Sequence, residues 1–291
     1  MGVTMQRAIL RRVAMLSSTE TLMPQVQYPA PPFPAQQQRS DPGHTAPMEP
    51  SPDHGEESYK ESGRLAGKAA IVTGGDSGIG RALAIAFAGE GADVLIGYLD
   101  EDDDARETAR WIEKAGRRAP LARGDVTDAQ HCDAIVQQAV DAFGKLDVLV
   151  NNAAHQSTHA SLDEITDEEW HRTVDTNIGA MSRITRAAVR HMKPGASIVN
   201  TASINADHRI PPCSSMQRPK ARSRTSPEGL RNCSPKRGIR SKLRRARPDL
   251  DAVDSCDDAA GEGREVWRAS ADEGSRTTCR ARTSLCDARF G

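Results

Sequence analysis

In Ala69-Ala70-Ile71-Val72-Thr73-Gly74-Gly75-Asp76-Ser77-Gly78-Ile79-Gly80-Arg81-Ala82 a short apolar run meets a glycine turn. The turn opens into Arg81-Ala82-Leu83-Ala84-Ile85-Ala86-Phe87-Ala88, where helix formers and apolar residues recur at helical spacing. The order is strand, loop, helix. Glycine suits such a loop because the backbone bends tightly and approaches an anion closely, and the helix start offers unpaired N–H groups and the positive end of its dipole. Gly74, Gly78 and Gly80 fit TGxxxGxG, a variant of the dinucleotide-binding fingerprint. An ordinary strand-to-helix turn also favours glycine, so the reading depends on what surrounds it.

The surroundings alternate regularly. Val94–Tyr98 reads as a second strand, Ala105–Ala115 as a helix stopping near Gly116, and Pro120–Val126 holds a third strand. A helix follows over Ala129–Phe143, then a fourth strand over Leu146–Asn152. A long helix is expected over Asp167–Met192, bent near Gly179, and a fifth strand over Ala196–Asn200. Strands alternating with helices predict a doubly wound, Rossmann-like α/β fold with a parallel sheet, whose ligands lie outside the carboxyl ends of the strands. Every conspicuous polar motif falls at such an end.

The chain has 291 residues, enough for a substantial core. Its 37% hydrophobic content, 3% aromatic content and mean hydropathy of -0.59 are nevertheless poor for one compact fold of that length. The deficit lies at the two ends. Residues 1–60 read as a disordered leader and extended arm: Arg7, Arg11 and Arg12 interrupt the first apolar stretch, and Pro29, Pro31, Pro32, Pro34 and Gln36–Gln38 have little to bury. The first stretch suits a targeting helix, a disordered leader, or a start upstream of the true one at Met23 or Met48. Residues 61–212 read as an incomplete dinucleotide-binding domain, and 213–291 as an irregular basic tail. A net charge of -1 gives no general attraction to nucleic acid or membrane, and no apolar run approaches the length of a membrane span. A soluble, cytoplasmic protein is expected.

Thr73–Gly80, Asp125-Val126, Asn151-Asn152-Ala153-Ala154, Asn177 and Ser197-Ile198-Val199-Asn200-Thr201-Ala202-Ser203 resemble, in order and spacing, the motifs of the short-chain dehydrogenase/reductase family. The arm, through Gln27-Tyr28-Pro29, Pro52-Asp53-His54-Gly55-Glu56 and Ser58-Tyr59-Lys60, is similar to one bacterial branch of it. The resemblance covers about residues 27–207. It implies an oxidoreductase passing hydride between NAD or NADP and a small alcohol or carbonyl substrate, with no metal. Gly74, Ser77, Gly78, Ile79 and Gly80 would line the pyrophosphate and adenosine ribose, and Asp125 and Val126 would flank the adenine. Asn152, Ala153 and Ala154 would lie beside the cofactor, with Ala154 where the family usually has glycine. Asn177 would hold a water of the proton relay, and Ser203 would bond the substrate carbonyl. The choice between NAD and NADP stays open: Tyr98 ends the second strand where NAD users usually carry an acid, and Asp76-Ser77 offers no base for a 2′-phosphate. The acidic run Asp100–Asp104 reads as the solvated start of a helix.

After Ala206 the resemblance breaks. The family's catalytic tyrosine and its lysine fall, by counting from Ser203, on Met216 and Lys220. Methionine cannot transfer a proton. The tail carries five of the six cysteines without a CxxC pair, and a basic run from Lys236 to Arg247 without interleaved aromatic residues, so metal and nucleic-acid readings find little support. A frame error fits better. Back-translated with suitable synonymous codons and regrouped one base earlier, Ser214–Lys220 reads Leu-Val-Tyr-Ala-Thr-Thr-Lys, which restores both residues at their spacing. Arg237-Gly238-Ile239-Arg240 reads like the family directly, and Lys242–Ser255 regrouped the other way yields Asn-Cys-Val-Ala-Pro-Gly-Pro-Ile-Trp-Thr-Pro-Leu-Ile-Pro. The expected consequence is a sheet truncated after about strand five, that strand an uncovered edge, and a homo-oligomer only where the C-terminal half is intact. The second reading is a catalytically inactive dinucleotide-binding remnant.

Overall fold

Every residue of β1 (Ala69–Thr73) is buried, as a strand covered on both faces requires. The structure is a computed structural model and describes residues 43–203, except 57, 158 and 160, together with 238–246. After β1 come α1 (Gly78–Gly89), β2 (Asp93–Tyr98), α2 (Asp102–Lys114), β3 (Leu121–Arg123), α3 (Ala129–Phe143) and β4 (Leu146–Asn151). Then follow α4 (Asp167–Val174), α5 (Ala180–Ala188), β5 (Met192–Ser203) and β6 (Arg240–Ala246). The strands lie in the order β3-β2-β1-β4-β5-β6, and every pair is parallel. This is the doubly wound Rossmann order, with its reversal point between β1 and β4.

Successive side chains of a strand point to opposite faces, so β1 builds two cores at once. Ile71 stands opposite Leu95 and Leu149 in the ladder and packs with Ile135, Val136 and Ile184 of α3 and α5. Ala70 and Val72 point the other way, into Leu83, Phe87 and Ile112 of α1 and α2. The helix limits follow local chemistry. Asp128 accepts from the N–H of Gln130 at 2.8 Å at the start of α3, and Gly144, at φ 75°, closes its end.

Three expectations need correction. The long helix over 167–192 is divided into α4 and α5 by a π-type turn at Asp175–Gly179, and β5 already begins at Met192. The sheet does not stop at strand five. β6 pairs with β5 from Ser197↔Arg240 to Ser203↔Ala246, so residues 240–246 of the supposedly irregular tail form a strand. A backbone ladder is indifferent to side-chain identity, and an edge position tolerates the charges of Arg-Ser-Lys-Leu-Arg-Arg-Ala that hid the strand from pattern reading. The acidic run is not wholly solvated either: Asp102–Asp104 do form the first turn of α2, but Glu101 and Asp104 are buried.

The described residues of 43–60 carry no helix or strand, yet they are seated on the domain. Thr45, Met48 and His54 are buried, and the Thr45 N–H donates to Asp104 at 3.0 Å. Farther along, the fully buried Glu90 accepts from the Tyr59 hydroxyl, from the N–H of Ser62 and Arg64 at 3.3 and 2.7 Å, and from the Arg64 guanidinium at 3.1 Å.

Candidate functional site

The glycine loop between β1 and α1 is shaped by contacts that only glycine permits. Gly74 and Gly78 have φ of 61° and 47°. A Cβ on Gly80 would fall 1.7 Å from the Gly74 carbonyl oxygen, and one on Gly74 would sit 3.0 Å from the Ala153 Cα. The loop therefore lies against both the first turn of α1 and the end of β4. Thr73 Oγ1 accepts from the N–H of Asn152 and Ala153 at 3.0 and 3.1 Å and donates to the Val150 carbonyl at 3.3 Å. Asn152 Nδ2 donates to the Gly74 carbonyl at 3.1 Å, while its Oδ1 accepts from Thr201 at 3.2 Å. The carboxyl ends of β1, β4 and β5 are thus tied together around one amide. The N-terminus of α1 carries no acid in its first turn and no side-chain cap, an arrangement suited to receiving an anion.

One cleft runs along these strand ends. Gly74, Ser77, Ile79, Asp125, Val126, Asn152, Ala153 and Ala154 line it, all named from the sequence. Gly78 and Gly80 lie behind it, buried in the first turn of α1. Asn177 is elsewhere: its Oδ1 accepts from the His155 N–H at 3.2 Å and its Nδ2 donates to the His155 carbonyl at 2.6 Å. Its side chain clamps the segment after β4, with the π-type turn wrapped around it. Ser203 is the last residue of β5, opposite Ala246. Met216 and Lys220 lie outside the described residues.

Several lining residues escaped sequence reading. His155, Gln156, Arg172 and Thr176 close the cleft on the side of α4. His155 Nε2 pairs with Glu169 at 2.9 Å. Burial pushes the Glu169 carboxyl up, but the hydrogen bond and charge of His155 outweigh it and hold the group below its ordinary range. On the other side stand Asp76 and Glu101, both buried. Arg81 does not neutralise them. Its Nε donates to the Asp76 carbonyl at 2.8 Å and to Thr108 at 2.9 Å, and its Nη2 pairs with Asp104 at 2.8 Å. Burial, reinforced by the charge of Glu101, raises the Asp76 carboxyl from 3.8 to about 7. The folded chain holds this proton more tightly than the unfolded chain, so Asp76 makes stability fall as pH rises from about 4 to about 7. Asp76→Asn is expected to remove that slope and to stabilise the fold at pH 8 by on the order of 2–4 kcal/mol. Urea unfolding across the range checks this, and an unchanged slope would count against it.

The short chain dehydrogenase family model matches residues 68–216, half of the chain. The chain belongs to the short-chain dehydrogenase/reductase family. It is 53% identical over 171 residues to the uncharacterized oxidoreductase YhdF of Bacillus subtilis, covering 59% of each chain. It is 44% identical over 180 residues to the glucose and ribitol dehydrogenase of Daucus carota, covering 60% of this chain and 62% of that one. Among solved structures it is similar to a short chain dehydrogenase from Burkholderia cenocepacia in complex with NADP, at 31% identity and a TM-score of 0.64, over 72% of this chain and 90% of that one. The chain spans about three fifths of the length of the curated relatives it matches. For this family the cleft lies where a dinucleotide belongs, at the strand ends beside the topological reversal. Its glycine cradle, which a single Cβ would fill, fits such a group. Among the described residues no cluster of His, Cys, Asp or Glu is arranged to hold a metal ion, and no helix is long and apolar enough to cross a membrane.

Proposed function

We propose that this protein derives from an NAD(P)-dependent oxidoreductase acting on a small alcohol or carbonyl compound in the cytoplasm. The observation that carries the reading is the glycine cradle of Gly74, Gly78 and Gly80 opening onto a cleft at the carboxyl ends of β1 to β4. Support comes from the NADP held by the Burkholderia structure and the polyol and sugar chemistry in the name of the carrot relative. When bound, the nicotinamide supplies or accepts hydride. The α1 N-terminus and Ser77 hold the pyrophosphate, and Asp125 and Val126 flank the adenine. Ala153 and Ala154 hold the cofactor against the end of β4, and Ser203 orients the substrate carbonyl. Asn177 acts by fixing the His155 backbone, so that any relay water sits beside a rigid wall.

The proton donor is the missing part, since the tyrosine slot is Met216. We read residues 61–212 as the incomplete domain, residues 213–291 as translated largely out of frame, and oligomer formation as dependent on the lost half. The family match ends at residue 216. The second reading, a catalytically silent dinucleotide binder, is favoured by Met216 alone. Resequencing the coding DNA across codons 207–256 and comparing the two proteins separates them. The frame-corrected chain is expected to turn over at least about 10²–10⁴ faster than the chain as written, the usual worth of a positioned general acid or base. Equal rates, or an uninterrupted frame, would overturn the reading.

A further inference from the structure

The adenosine end of the cleft has an unusual charge balance. A dinucleotide whose pyrophosphate rests on the glycine loop extends its adenosine ribose toward the end of β2. That position is Tyr98, whose hydroxyl is turned away to donate to Asp102 at 2.8 Å. Besides Asp125, placed at the adenine, two buried acids face the cleft instead. Asp76 comes from the glycine loop and Glu101 from the N-cap of α2, and each is 5% exposed. The cations of this end are engaged elsewhere: Arg81 with Asp104, Arg123 with Asp102 at 3.3 Å, and Arg106 with Asp103 at 3.0 Å. Arg172, carried by α4, is the one arginine or lysine among the described residues lining the cleft.

We infer that Asp76 and Glu101 select a dinucleotide with a free 2′-hydroxyl over one bearing a 2′-phosphate. The inference rests on the cleft being a dinucleotide site. A ribose hydroxyl can donate to a carboxylate, whereas a phosphate brings two further negative charges toward two buried acids, and among the described residues the arginines of this end are engaged elsewhere. Burial strengthens the repulsion from each acid in its ionised form, which for Asp76 grows as pH rises past about 7, because little water stands between the charges to screen it. Asp76 is also held in place from behind, its carbonyl accepting from Arg81 and from Thr108 at 3.0 Å, so the loop cannot easily swing the acid aside. The preference runs opposite to the NADP of the Burkholderia structure.

Isothermal titration of the full chain with NAD⁺ and with NADP⁺, and with ADP and 2′,5′-ADP as adenosine-end probes, tests this without turnover. NAD⁺ is expected to bind at least about tenfold more tightly than NADP⁺, and ADP more tightly than 2′,5′-ADP. Asp76→Asn and, outside the glycine loop, Glu101→Gln should each narrow the ratio about threefold or more, chiefly by tightening the phosphorylated ligand. NADP⁺ binding as well as NAD⁺, or a ratio unmoved in both variants, overturns the inference and leaves the dinucleotide site standing. Binding of neither nucleotide overturns both.

Discussion

Gly80→Ala is expected to reduce dinucleotide affinity at least about 100-fold and to lower stability by about 3 kcal/mol or more, beyond ordinary overpacking. The added methyl would stand 1.7 Å from the Gly74 carbonyl oxygen, 2.6 Å from its carbon and 2.8 Å from Asn152 Nδ2. None of these neighbours can retreat cheaply. Gly74 is backed by Ala153, and Asn152 is committed to the Gly74 carbonyl and to Thr201. The first turn of α1 must therefore move away from β4, and the anion cradle moves with it. Gly97→Ala is the control, because its Cβ would meet nothing nearer than 3.6 Å and should cost under about 1 kcal/mol. Nucleotide titration and chemical unfolding of both variants decide the matter. Parallel behaviour of the two would show that the cradle does not depend on close approach at Gly80.

Glu90→Ala should destabilise the fold by about 3–5 kcal/mol, the scale for removing one partner of a buried charge pair. The loss would take away the Glu90 acceptor oxygens from the Arg64 guanidinium, the Tyr59 hydroxyl and two backbone N–H groups. Glu90→Gln should recover part of it by retaining one acceptor oxygen. Burial raises the Glu90 carboxyl, but the hydrogen bonds from Tyr59, Arg64 and Ser62 prevail and bring it down from 4.5 to about 2. The sign follows: the folded chain holds this proton less tightly than the unfolded one, so the contribution is complete above about pH 4.5 and is lost as pH falls toward 2. The shift corresponds to about 3 kcal/mol. Urea midpoints of the wild type should drop between pH 6 and pH 3 by more than those of Glu90→Gln. Equal drops would remove Glu90 from the account of the arm's attachment.

Much of the fold was legible because a parallel sheet buried on both faces forces apolar runs of strand length, and Ala69–Thr73, Val94–Tyr98 and Leu146–Asn151 have little other reading. The helix Ala129–Phe143 was equally plain, since its periodicity is bounded by an Asp cap and a glycine stop. The glycine loop announced the cleft, and eight of the residues named from it and from the later motifs line that cleft. Side-chain direction was not legible. The family resemblance implies a relay role for Asn177, but only the packing of the π-type turn against His155 commits both ends of its amide to backbone.

From the order of its residues alone, this protein was legible as a doubly wound α/β chain with a glycine-rich turn between its first strand and first helix, and with Met216 in the slot where the family resemblance expects a tyrosine. Those are local properties: periodicity, the freedom of glycine and the identity of one side chain act within a few positions. What only the tertiary structure decided concerns groups far apart in the chain. Arg240–Ala246 becomes a strand because β5 offers an open row of backbone donors and acceptors, and Glu101 becomes a wall of the cleft because α2 docks beside β2. Glu101 and Asp104 look like ordinary solvated acids in sequence; the packing of α2 buries both, pairing Asp104 with Arg81 and leaving Glu101, beside Asp76, to face the cleft.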